Sequence, residues 1–148
     1  MRLKELVLLN KSDIQVPIDE NGFYELPSDT NEFIDVNLRA ETTKGELKDR
    51  TTFITFDTLV SLNDMMMDRI TKLRKNTHDV YRPVIQRNKA AEEATREELF
   101  TNIKGNRIGK RGVQDIVKKY AHLSDERIAD ENIDCPVNYG KNVSVHIL

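Results

Sequence analysis

Along the first nine residues Leu3, Leu6 and Val7 recur at helical spacing and Leu8 and Leu9 broaden the stripe. Arg2, Lys4 and Glu5 fall mostly elsewhere on the wheel. This predicts a helix that must bury one face. Ser12 and Asp13 break the pattern. Turn residues at 19–22 (DENG) and 27–29 (PSD) then bracket a short apolar segment, 23–26, so irregular structure or short strands are expected there. From Phe33 the chain alternates as FIDVNLRAET and, after TKGELK, resumes as DRTTFITF, which predicts a β-hairpin around Gly45. Leu59, Leu62, Met66, Ile70 and Leu73 then keep three- and four-residue spacing, the mark of a helix, with Asp57 placed to begin it.

Residues 74–98 are polar and charged. Pro83 interrupts them and AAEEATREE reads as a solvated helix, so the stretch is expected to be an exposed connection. LFTNIKGNRIGKRGVQDIVKKYAHL gives a short apolar entry, a glycine-broken basic loop, and a helix with Val113, Ile116, Val117 and Tyr120 on one face. Residues 124–142 read as loop around a short helix, ahead of VSVHIL. There is no internal repeat. The elements together predict an α+β fold, mainly α-helical, with a small antiparallel β-sheet. The run Met65, Met66, Met67 is read as core filling.

Composition adds limits rather than an activity. At 148 residues and 38% hydrophobic, the chain has room for one domain with a real core. Its formal net charge of −2 means that any nucleic-acid binding must rest on a local basic patch. The lone Cys135 excludes an internal disulfide framework and suits a reducing compartment. No stretch approaches the roughly 20 apolar residues of a membrane span, and the first residues lack a signal-peptide layout. A soluble, cytoplasmic protein is expected. His78, His122 and His146 have no short ligand spacing, so neither metal nor cofactor is indicated.

Singly, these pieces identify nothing, but their order does suggest a family. MRLKELVLLNKSDI resembles the first arginine motif of the tyrosine recombinases, the phage-integrase family, with Arg2, Glu5, Leu6 and Asp13 on its pattern. ETTKGELKDRTTFI is similar to that family's β-hairpin, which carries an active-site lysine in or beside the turn. Lys44 is the first choice for it and Lys48 the second. LFTNIKGNRIGKRGVQDIVKKYA resembles the stretch before the family's histidine motif, and VSVHIL the start of its His-x-x-Arg motif, with His146 as the histidine. The resemblance covers nearly all of the chain. It is weakest over about 58–98, where the chain is longer than the family usually is, as an insertion or a divergent subgroup would make it.

The resemblance implies a partial catalytic domain spanning residues 1–148, starting just before the first active-site arginine, without the separate DNA-gripping domain, and stopping one residue short of the second arginine. It implies double-stranded DNA as partner, and self-association as a tetramer on DNA in the complete protein. The complete protein would cleave and rejoin DNA through a phosphotyrosine intermediate. Arg2 would hold non-bridging phosphate oxygens, Lys44 would protonate the leaving 5′-oxygen, and His146 would bond the phosphate or assist proton transfer. Tyr24, Tyr81, Tyr120 and Tyr139 all precede His146, outside the nucleophile's place, so this chain alone is expected to be inactive. Lys48, Arg50, Lys104, Arg107, Lys110, Arg111 and Lys118 are the candidate DNA contacts. Two other readings stand beside this one: a non-catalytic DNA-binding regulator on the same fold, and an interaction module of a mobile element.

Overall fold

The computed structural model describes residues 1–42 and 48–130, with the side chains of 128–130 excepted. Among the described residues the chain forms four α-helices and one two-stranded antiparallel sheet, an α+β arrangement that is mainly helical. No helix among them is long and apolar enough to cross a membrane.

The sheet pairs β1 (Ile34–Leu38) with β2 (Arg50–Ile54), in a register that sets Ile34 against Ile54 and Leu38 against Arg50. The alternation of β1 decides its placement: Ile34, Val36 and Leu38 are buried while Asp35 points to solvent. The expected turn around Gly45 lies outside the described residues. At the base of the connection Asp49 accepts the Ala40 N–H at 2.8 Å. The unpaired edge of β1 is not left bare, because the Gln15 N–H donates to the Asp35 carbonyl at 2.9 Å.

Helix α1 (Leu3–Val7) is a turn and a half long. The apolar run does not continue it: Leu9 turns extended, and its carbonyl accepts the Leu99 N–H at 3.1 Å. Helix α2 (Phe56–Thr71) presents Leu59, Leu62 and Met66 to the inner face of β1, completing a core that includes Leu9, Ile14, Tyr24 and Leu99. Its cap is the Thr55 hydroxyl, which accepts the Thr58 N–H, and Asp57 follows within the first turn rather than opening the helix. Within the methionine run, Met66 is fully buried while Met67 is exposed.

The stretch 74–98 is mostly exposed, as its polar pattern predicts, with Glu93 as its buried residue, yet it is more than a connection. Residues Arg82–Thr95 form helix α3, with Pro83 in its first turn, where a missing N–H is harmless, so proline starts this helix rather than interrupting it. The helix packs against α2, and Glu93, read as part of a solvated face, is 1% exposed. Gly22 lets the turn at 19–22 come close to the backbone of α3: it has φ +85°, and a Cβ there would stand 2.6 Å from the Glu93 carbonyl oxygen.

Helix α4 (Lys110–Asp130) reaches into the region expected to be loop. Its inward face also differs from the expectation, because Ile116 and Tyr120 are exposed while Ala121 is buried and Val113 and Val117 are half-buried. The apolar residues of this helix wrap around more than one face, so periodicity alone selects the wrong half of the stripe.

Candidate functional site

Both carboxylates of the opening motif end up holding an arginine from the β-ribbon. Arg2 precedes α1 in extended conformation, and its backbone N–H donates to Glu5 Oε2 at 2.6 Å. Glu5 is buried, and its other oxygen accepts from the Arg50 guanidinium at the start of β2. Asp13 accepts the Asn10 N–H at 2.8 Å and pairs with Arg39 Nε at 3.1 Å, while Arg39 Nη2 donates to the Leu8 carbonyl at 2.7 Å. Arg39 and Arg50 sit at the same end of the ribbon, since Leu38 faces Arg50. The segment 2–13 is therefore fastened to that end by two charge-assisted contacts. The Arg2 side chain itself is exposed beside them.

A third arginine joins the basic helix to the same segment. Residues 100–108 fold back on themselves around Gly105, whose φ is +84°, with the Ile108 N–H donating to the Phe100 carbonyl at 3.1 Å. This is the expected glycine turn ahead of a basic helix. Arg107, half-buried, donates to the Val7 and Leu9 carbonyls at 3.0 and 3.1 Å and to Asn10 Oδ1 at 2.6 Å. Its guanidinium thus satisfies the Val7 carbonyl at the end of α1 and shares the Leu9 carbonyl with the Leu99 N–H, and its positive charge suits that end of the helix. The start of α4 is held close to α1 as a result.

The other candidate DNA contacts are solvent-facing. Lys48, Lys104, Lys110, Arg111 and Lys118 are all exposed, and the Arg50 side chain is 42% exposed although it is paired with Glu5. Arg111 and Lys118 are seven residues apart on α4, on one face and about 10 Å apart along the axis. Lys44 and His146 lie outside the described residues, as do Cys135 and Tyr139. Tyr24 is a core residue whose hydroxyl donates to the Lys11 carbonyl at 2.8 Å, and burial pushes its phenol well above the ordinary value. Tyr81 and Tyr120 are exposed. Among the described residues no cluster of three or more His, Cys, Asp or Glu side chains is placed to hold a metal ion.

The sequence pattern gave no sign of the molecule's buried charge centre. Glu93 takes Lys11 Nζ at 2.8 Å, Arg69 Nη2 at 2.7 Å and Arg96 Nε at 3.3 Å. Lys11, 3% exposed, also donates to the Gly22 and Glu93 carbonyls at 3.1 and 2.8 Å. Burial works against the Glu93 charge, but the hydrogen bonds from Lys11 and Arg69 outweigh it and hold the carboxyl below its ordinary value. Burial likewise pulls the Lys11 ammonium below its usual range, against the pull of Glu93. Only the Glu93–Arg96 pair has a local spacing, three residues apart at the end of α3; Lys11 and Arg69 come from two other places in the chain, so no spacing rule reveals the centre. Arg39 was missed for the same reason.

No protein-family model, curated protein or solved structure matches this chain.

Proposed function

We propose that this chain is part of the catalytic domain of a tyrosine-type site-specific DNA recombinase. The observation that carries the reading is the pairing of Glu5 with Arg50 and of Asp13 with Arg39. Arg2 and the β1–β2 connection that bears Lys44 belong to motifs more than thirty residues apart, yet these pairs bring the first motif against the end of the ribbon from which that connection departs. A phosphate gripped by the exposed Arg2 would lie near that end. In the reaction of such a recombinase a tyrosine hydroxyl attacks phosphorus. The bond to the 5′-oxygen breaks, Lys44 gives that oxygen its proton, and Arg2 and His146 neutralise the charge on the non-bridging oxygens. Lys104, Lys110, Arg111 and Lys118 fit as contacts to the flanking backbone, and Arg107 as the residue that fixes where they stand.

The exposed cations also favour a second reading, in which the same fold binds duplex DNA as a non-catalytic regulator. One set of titrations separates the two. Fluorescence anisotropy with a labelled duplex, repeated at several salt concentrations, should show affinity that falls with salt under either reading. Arg2→Ala and Lys44→Ala should weaken duplex binding, with thermal unfolding unchanged, if these residues meet a phosphate. If both variants bind as wild type while Lys110→Ala and Arg111→Ala do not, the active-site assignment fails and the regulator reading stands. Absence of salt-dependent binding refutes both and leaves a protein-interaction module.

A further inference from the structure

At the opposite end of the ribbon from Arg50, Phe33 and Phe53 stand in the open. Each is 62% exposed, and the rings meet edge to face with centroids 5.0 Å apart. Nothing in the fold requires this, because β1 already buries Ile34, Val36 and Leu38 on its other face. The adjoining rings make a contiguous apolar patch, and contiguous patches, unlike singly scattered apolar residues, are what mark interaction sites.

Phe33 divides two shallow grooves, of about 430 Å³ and 240 Å³. Leu26, 48% exposed, adds apolar surface to the larger. The polar walls are of one sign: Glu25, Glu32 and Asp35 line the first groove, Glu32 and Asp57 the second, and no lysine or arginine lines either. All four carboxylates are exposed. Asp57, in the first turn of α2, sits where the helix dipole favours a negative charge, so this end of the molecule keeps its acidity.

We infer that this surface docks an extended cationic segment of a partner protein, with an apolar side chain seated against Phe33 and Phe53 and lysines or arginines reaching the carboxylates on either side. Charge complementarity selects the occupant. Duplex DNA is repelled by the same groups, and an acidic or neutral apolar segment would gain nothing from them. The surface is also separate from the candidate DNA site. Phe53 is three residues from Arg50 on β2 and Phe33 five from Leu38, so the aromatic pair stands about 10–17 Å along the ribbon from Arg50. The inference does not rest on the recombinase reading.

The test uses the whole chain and a fluorescein-labelled eight-residue peptide of alternating lysine and leucine, with the glutamate–leucine peptide as control. Anisotropy should show saturable binding of the cationic peptide alone, weakened by added salt. The double reversal Glu25→Lys with Glu32→Lys should weaken it about tenfold, since two exposed charges change sign. Phe33→Ala should do so by a similar factor, and circular dichroism melting should be unchanged in both because the three side chains are exposed. Equal binding of the acidic peptide, or indifference to all these variants, overturns the inference. A changed duplex-DNA affinity in Phe33→Ala, measured without the peptide, overturns the separateness of the surface. Sedimentation at the same concentrations decides the occupant: a dimer that Phe33→Ala abolishes would mean that a second copy, not a cationic partner, covers the rings.

Discussion

Glu93→Gln isolates the buried charge centre with little change of shape. The substitution keeps volume and one acceptor but removes the only carboxylate that Lys11, Arg69 and Arg96 share. Arg96 retains Glu92 at 2.6 Å, and Arg69 retains the Leu99 carbonyl at 2.7 Å. Lys11, whose side chain is 4% exposed, keeps only neutral partners. Breaking a buried pair by removing one member costs about 3–5 kcal/mol, and the partners left to the arginines place this case at about 3. In a domain of this size that lowers the melting temperature by roughly 6–12 °C. Lys11→Met should cost less, about 1–2 kcal/mol, because Glu93 keeps two arginines, its carbonyl keeps the Arg96 N–H, and the Gly22 carbonyl loses its Lys11 donor.

The pH dependence has a fixed sign. The folded Glu93 carboxyl titrates below its ordinary value of 4.5, so the stability gained from its charge is full above that pH and is lost as pH falls through the folded value. Urea unfolding followed by circular dichroism should therefore show a gap between wild type and Glu93→Gln that is constant from pH 5 to 8 and narrows below. A Glu93→Gln cost under about 1 kcal/mol, or a larger cost for Lys11→Met, would refute the reasoning.

Other perturbations separate architecture from recognition. Gly22→Ala should destabilise by about 2–4 kcal/mol in the same unfolding assay, since a Cβ meets both an unfavourable φ and the backbone of α3. Met66→Ala, at a fully buried core position, should cost about 2–5 kcal/mol in chemical denaturation. Arg107→Ala should lower stability by about 1–2 kcal/mol through its three acceptors, whereas exposed Arg111→Ala should change it by less than about 0.5 kcal/mol. In DNA titrations, Lys110→Ala with Arg111→Ala should reduce the slope of log affinity against log salt by about two, and an unchanged slope would remove these residues from the phosphate contacts.

The sequence by itself determined the ribbon, the long middle helix and the glycine turn before the basic helix. In each, a local rule operates alone: alternation for Ile34, Val36 and Leu38, three-and-four spacing for Leu59, Leu62 and Met66, and glycine at positive φ for Gly105. The order of motifs also singled out Glu5, Asp13 and Arg50 without saying that they would meet. Only the tertiary structure decided that they do, that Arg107 braces α1, and that the polar stretch 74–98 supplies a packed helix. The physical reason is the same in every case. A charged residue is normally kept in water, so its pattern reads as surface, and the sequence does not reveal when a distant partner makes burial affordable. Glu93 stands on a helix that looks solvated, and it is buried because Lys11 and Arg69 arrive there from elsewhere in the chain to join its neighbour Arg96.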